Sequence, residues 1–140
     1  MSALERTFAI IKPDAVAAGH TGEILAMAEK AGFRIRALRR IRMSRLEAEA
    51  FYAVHRERPF FASLVNFVTE GPCVVAVLEA ENAIARWREL MGPTDPAKAP
   101  EGTIRKLFGT NIERNAVHGS DGPETAAVEV AFFFSAADLL

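Results

Sequence analysis

Of the three histidines in this chain, one stands where its chemistry could be used. His118 lies in Asn115-Ala116-Val117-His118-Gly119-Ser120-Asp121, between an apolar pair and a Gly-Ser-Asp turn. A neutral imidazole, with an unperturbed pKa of about 6.5, is nucleophilic near neutral pH and takes a phosphoryl group without a separate base. Gly119 removes side-chain bulk beside the ring. Asp121 with Glu124 reads as a pair opening a helix, so backbone N–H groups gather just after the histidine, where an anion is attracted. The plainer alternative is a turn histidine that only caps or fills. His20 and His55 lack ligand-like spacing to His118 and read as surface or packing residues.

An anionic substrate needs cations set against its charge. Lys12, Arg88 and Arg105 each fall at an element end or beside a long loop, 92–117, which suits convergence, although each alone reads equally well as a solvated side chain. Arg34, Arg36, Arg40 and Arg42 form a second basic group along one strand, with Arg39 on its apolar side. Such a comb could grip nucleic acid, but no aromatic residues interleave it, and a solvated outer face is the simpler reading. Other phosphate and metal devices are missing: there is no G-x-x-x-x-G-K-[ST], G-x-G-x-x-G, H-R-D or H-E-x-x-H, and the single Cys73 cannot form an internal pair. Cys73 reads as a buried packing thiol.

The elements that must position these groups follow from periodicity. Residues 6–11 read as a strand stopped by Lys12-Pro13. Thr21 caps a helix carrying Ile24, Leu25, Ala28 and Ala31, which Gly32 ends. Residues 33–43 alternate as a second strand. Ser44-Arg45-Leu46-Glu47 is a capping box for a helix reaching about His55, and a further helix spans 61–68. Residues 73–78, apolar on both faces, read as a central strand, 81–91 as a helix, 103–108 as a short helix in the long loop, and 128–134 as a last strand carrying Glu129. This order is the split β-α-β pattern of an α+β, ferredoxin-like sandwich: a four-stranded antiparallel sheet with flanking helices and an inserted helical pair.

At 140 residues, 50% hydrophobic and 25% charged, residues 1–140 suit one domain burying roughly two-thirds of the unfolded chain's surface. A net charge of −1 exerts no global pull toward nucleic acid or membrane. The start, Met1-Ser2-Ala3-Leu4-Glu5-Arg6, lacks a signal peptide's apolar core and no run reaches membrane-spanning length, so a soluble cytoplasmic protein is expected.

Five ordered pieces resemble the nucleoside diphosphate kinases over essentially the whole chain: Arg6-Thr7 with Ile11-Lys12-Pro13-Asp14, Arg58-Pro59-Phe60-Phe61, Glu81-Asn82-Ala83, Gly102-Thr103-Ile104-Arg105, and the heptapeptide around His118, which is that family's active-site signature. The resemblance implies a ping-pong transfer in which His118 Nδ1 takes the γ-phosphoryl of a triphosphate, ATP above all, and passes it to a diphosphate. It implies that Lys12, Phe60, Arg88, Thr94, Arg105 and Asn115 bind nucleotide. Lys12 and Asn115 would reach the ribose, the two arginines and Thr94 the phosphates, and Phe60 the base, with Ile112 on the base's other side. Tyr52 would approach the γ-phosphate, and Gly119, Ser120 and Glu129 would support the histidine. Mg2+ would ride on the phosphates without a protein cage. From the residues alone, Phe60 and Ile112 read as core.

The chain departs from the family at Lys106-Leu107, where many relatives have an acidic residue, at Pro93, and at Ala99-Pro100-Glu101, all in the nucleotide loop. Ending at Leu140, it leaves tetramer and hexamer open as the expected homo-oligomer. The rival readings are a nucleic-acid-binding module using the arginine strand, which lacks the stacking aromatics of such a sheet, and an inactive family member kept as a structural partner.

Overall fold

The alternation of Thr7, Phe8, Ala9, Ile10 and Ile11 sends large side chains to both faces of a strand, and the chain supplies helices to cover both. The computed structural model describes residues 3–140, so Met1 and Ser2 of the N-terminal reading lie outside it. In chain order the elements are β1 (Leu4–Ile11), α1 (Pro13–Ala17), α2 (Thr21–Lys30), β2 (Arg34–Ile41), α3 (Arg45–Phe51), α4 (Phe61–Val68), β3 (Cys73–Glu81), α5 (Ala83–Met91), α6 (Ile104–Phe108), β4 (Val117–Gly119) and α7 (Pro123–Phe133). The four strands form one antiparallel sheet in the order β2-β3-β1-β4. Ala9, Ile11, Val74, Ala76 and Leu78 bury one face with Ile24, Ala28 and Trp87 from α2 and α5. Phe8, Ile10, Cys73, Val75 and Val77 bury the other with Ala48, Val65 and Phe133 from α3, α4 and α7.

Local signals account for most boundaries. Ser44 Oγ accepts from Glu47 N while Glu47 Oε1 accepts from Ser44 N, the reciprocal box read from the sequence. α3 is shorter than expected, ending at Phe51 before a 3-10 turn, Ala53–His55. α2 begins at Thr21, which makes no side-chain cap, and Gly32 follows its end with φ +96°. α1 was not anticipated; Pro13 occupies its first turn, where the missing N–H costs nothing.

Three expectations are corrected. Residues 128–134 are not a strand: they belong largely to α7, and Glu129 rides on a helix. Val128, Val130 and Phe132 alternate like a strand, yet the buried or packed side chains are Ala126, Val130 and Phe133, at helical spacing. The fourth strand is instead β4, whose three residues pair Val117, His118 and Gly119 with Ile11, Ile10 and Ala9. Nor do the arginines of β2 share one face. The register shifts between Ile35 and Ala37, so Arg36 sits in a bulge and Arg34 and Arg40 point to opposite faces. Arg39 Nη1 donates to Phe133 O at 2.7 Å and Arg36 Nη2 to Leu139 O at 3.3 Å, which ties the chain end to the sheet.

The helical assignment of α7 separates two valines that a strand would have treated alike. Val128 is 70% exposed, whereas Val130 packs on the core. Val128→Asp is expected to change stability by no more than about 0.5 kcal/mol, and Val130→Asp to cost on the order of 1–3 kcal/mol for a buried, unpaired polar group. Urea unfolding of both checks this; equal losses would contradict the helix.

Candidate active site

His118 is fixed from three directions. β4 pairing places its backbone opposite Ile10, and Trp87 Nε1 donates to His118 O at 3.2 Å. Its ring lies edge-on to Phe8 and Phe51, at 6.2 and 5.8 Å between centroids. Nε2 lies 3.1 Å from Glu129 Oε1, and the Ser120 hydroxyl donates to the same oxygen at 2.7 Å while accepting from Phe8 N at 3.2 Å. A carboxylate only accepts, so it holds the proton on Nε2 and leaves the lone pair on Nδ1.

Gly119 serves a different neighbour from the one the sequence suggested. A Cβ there would stand 2.5 Å from Trp87 Cδ1, so the glycine makes room for the indole that holds His118 O. Asp121 does not cap α7 either. The helix starts after Gly122, whose N–H is accepted by Thr125 Oγ1, and Asp121 pairs with Arg88 Nη1 at 2.8 Å.

The expected cations converge. Lys12 is only 8% exposed and its Nζ donates to Asn115 Oδ1 at 2.8 Å. Asn115 Nδ2 donates in turn to Thr94 O and Ile112 O, drawing the 92–117 loop against the end of β1. Burial, and then the charge of Arg105, lower the Lys12 pKa to about 8, with Asp14 and Glu113 pulling the other way. Arg105 Nη1 donates to Gly92 O and Nη2 to Val117 O, at 2.9 and 2.8 Å, and its buried Nε has no hydrogen-bond partner among the described residues. Burial and the charge of Arg88 lower its pKa to about 10. Lys12 thus feels Arg105, and Arg105 feels Arg88. Arg88, Thr94 and Arg105 line one cavity of about 490 Å³ with Glu89, Met91, Gly92, Pro93 and Pro100, two cations against one carboxylate. Such mutual repulsion in a partly dry site favours an arriving anion.

Phe60 and Ile112 are not core, being 48% and 62% exposed. They belong to segments joined by Ser63 Oγ donating to Glu113 Oε2 at 2.6 Å. Tyr52 is buried, its hydroxyl has no hydrogen-bond partner among the described residues, and burial pushes its pKa up. His20 stacks on Phe108 and His55 lies beside Phe60, both apart from the His118 network. Cys73 is buried, and its thiol is raised to about 11, mainly by burial. Sequence reasoning missed Trp87, and it missed Asp14, whose Oδ2 accepts from Ala116 N at 3.1 Å. Each acts on backbone far away in sequence, and only the Lys-Pro-Asp motif hinted at Asp14.

Among the described residues no three His, Cys, Asp or Glu side chains gather to hold a metal, and no helix is long and apolar enough to cross a membrane. Residues 5–139 match the family model described as nucleoside diphosphate kinase. A nucleoside diphosphate kinase of Bradyrhizobium diazoefficiens is 60% identical over 138 residues, 99% of each chain, and one of Desulfotalea psychrophila is 57% identical over 98% of this chain and all of its own. The crystal structure of the Aquifex aeolicus enzyme superposes with a TM-score of 0.96 at 48% identity, covering 99% of this chain and 100% of that one. The Halobacterium salinarum enzyme, solved with CDP, gives 0.94 at 37% identity over 99% and 92% of the two chains. A histidine seated on a carboxylate beside clustered cations, in a chain related to these along its whole length, places the protein in the nucleoside diphosphate kinase family.

Proposed function

We propose that residues 1–140 act as one domain that moves the γ-phosphoryl group of a nucleoside triphosphate to a nucleoside diphosphate through His118, with ATP the usual donor. The observation that carries this is a histidine whose Nε2 is held by Glu129 and whose Nδ1 has no partner among the described residues, in a chain where Arg88 and Arg105 line one cavity and Lys12 is close enough to feel Arg105. In the first half-reaction Nδ1 forms a bond to the γ-phosphorus. The bond from that phosphorus to the β–γ bridging oxygen breaks, and the oxygen leaves with the electron pair as part of the diphosphate. Glu129 meets the positive charge that develops on the ring. The second half-reaction reverses these steps with another diphosphate as acceptor.

Lys12, Arg88, Thr94 and Arg105 hold the phosphates, with Arg88 exchanging Asp121 for phosphate. Asn115 and Lys12 meet the ribose hydroxyls. The base stacks on Phe60 against Ile112, faces that discriminate weakly among bases. Tyr52 is read as approaching the γ-phosphate, although its hydroxyl is buried in the core beside Phe51. The donor set lacks a carboxylate cage, which fits a Mg2+ ion that uses few protein ligands and is carried on nucleotide oxygens. When bound, it supplies neutralisation of phosphate charge. The enzyme is read as a cytoplasmic homo-oligomer, tetramer or hexamer, without a membrane or nucleic-acid partner.

Label from γ-labelled Mg-ATP is expected on His118, stable in alkali and lost in acid. His118→Ala abolishes labelling and net transfer, whereas His20→Ala labels normally. A full equivalent of label on the His118→Ala protein would overturn the reading.

Lys12 supplies a second check. With its pKa at about 8, half of the empty sites are neutral near pH 8, and a phosphate drawn beside it raises that pKa. Mg-ADP binding at pH 8 is then expected to take up as much as about half a proton, falling toward nothing from this group at pH 6. Calorimetry in buffers of different ionisation enthalpy measures the uptake, and Lys12→Met is expected to remove it; identical uptake in that variant would exclude Lys12. The same depressed pKa has a stability consequence. Between about 8 and the ordinary 10.5 the unfolded chain binds the proton that the empty folded protein lacks, so this lysine's contribution to stability rises with pH across that window.

A further inference from the structure

Ala116 is fully buried and has φ +74°, a conformation that an L-residue with a Cβ adopts only under constraint. Val117 N donates to Asn115 O at 2.9 Å, closing a three-residue γ-turn around it, in the strained hand of that turn. Both backbone groups of Ala116 are gripped by a single tripeptide. Lys12 N donates to Ala116 O at 2.8 Å, and Asp14 Oδ2 accepts from Ala116 N at 3.1 Å. Pro13 stiffens the link between the two grips. The second carboxylate oxygen of Asp14 is buried without a hydrogen-bond partner, so the contact to Ala116 is the one hydrogen bond that this side chain makes among the described residues.

The turn separates two groups that must be right at once. On its upstream side Asn115 meets Lys12 Nζ and the Thr94 carbonyl. On its downstream side Val117 enters β4, its carbonyl accepting from Arg105 Nη2, and His118 follows. We propose that Asp14 is a positioning residue for phosphoryl transfer: by holding the Ala116 amide it keeps the γ-turn strained, and the strained turn aligns the Asn115 side of the site with the His118 side. This rests on the reading of His118 as phosphoryl acceptor. Asp14 also stands close enough to favour the charged form of Lys12, so the test must separate geometry from charge.

Single-turnover phosphorylation by Mg-ATP is to be measured for the full chain carrying Asp14→Ala, Asp14→Asn, Ala116→Gly, and Asp14→Ala with Ala116→Gly, with circular dichroism and thermal unfolding of each. Asp14→Ala is expected to slow the step on the order of 10- to 100-fold, the scale of a misplaced reacting group. Glycine at 116 takes φ +74° without a Cβ penalty, so the double variant is expected to recover most of that loss. Asp14→Asn keeps an oxygen that accepts from the Ala116 amide and is expected to lose far less than Asp14→Ala. Should Asp14→Ala not fold, the double variant compared with Ala116→Gly carries the same question: near-equal rates support the proposal, and a large residual loss overturns it. Asp14→Ala within about twofold of wild type overturns it. So does Asp14→Asn as slow as Asp14→Ala with no recovery in the double variant, the pattern of a charge effect on Lys12. If wild type takes no label on His118, the acceptor reading fails, but hydrogen exchange of a peptide spanning residues 113–119 still reads the turn. Faster exchange in Asp14→Ala, slowed again by Ala116→Gly, supports the proposal, and unchanged exchange removes it.

Discussion

One carboxylate oxygen, Oε1 of Glu129, organises the reactive centre. It receives the His118 ring and the Ser120 hydroxyl together, and Ser120 in turn accepts from the β1 amide of Phe8. The contact links α7, β4 and β1 through a chain of polar bonds set beside a wall of aromatic rings from Phe8, Phe51 and Phe133. Low surrounding polarity strengthens each of these bonds and makes a lost partner costly. The same contact sets the tautomer of the ring, because a proton kept on Nε2 leaves the Nδ1 lone pair open.

The cations obey a different economy. Lys12 and Arg105 are buried, and burial is the first cause of both lowered pKa values. Arg105 is held largely by main-chain carbonyls, which accept hydrogen bonds without neutralising its charge. Arg88 is half exposed and engaged with an exposed Asp121. An exposed pair of this kind is worth at most about 1 kcal/mol, whereas a hydrogen bond to a charged group in a drier site is worth ~1.5–3 kcal/mol. Arg88 is therefore the cation held most weakly by its present partner. The site holds two cations fixed by burial and one at the surface.

Much of this was legible in the sequence, for identifiable reasons. Residues 61–68 and the Ser44 box carry helix signals that depend only on near neighbours, and they fold as read. The Arg105 and Asn115 motifs pointed to groups that the fold brings to one loop. What failed depends on distant partners. β4 is too short to show an alternation and exists because β1 offers it a ladder. α7 shows a strand-like run of Val128, Val130 and Phe132, and only the burial of Ala126, Val130 and Phe133 reveals the helical spacing. The bulge at Arg36 leaves no mark in residue type. Asp14 reaches an amide 102 residues away, and Trp87 a carbonyl 31 residues away.

Trp87 and Arg88 tie the placement of His118 to that of the cations. They are successive residues of α5, and helix geometry turns one inward and the other outward. Trp87 is buried, lies against Phe33, and holds the His118 carbonyl through Nε1. Arg88 faces the cavity and the Asp121 carboxylate. Gly119, the residue after the histidine, clears the space that the indole occupies. A shift of α5 along the sheet would move Arg88 and pull on the backbone of His118 together. Mounting both on one helix makes their relative position a property of core packing around Trp87.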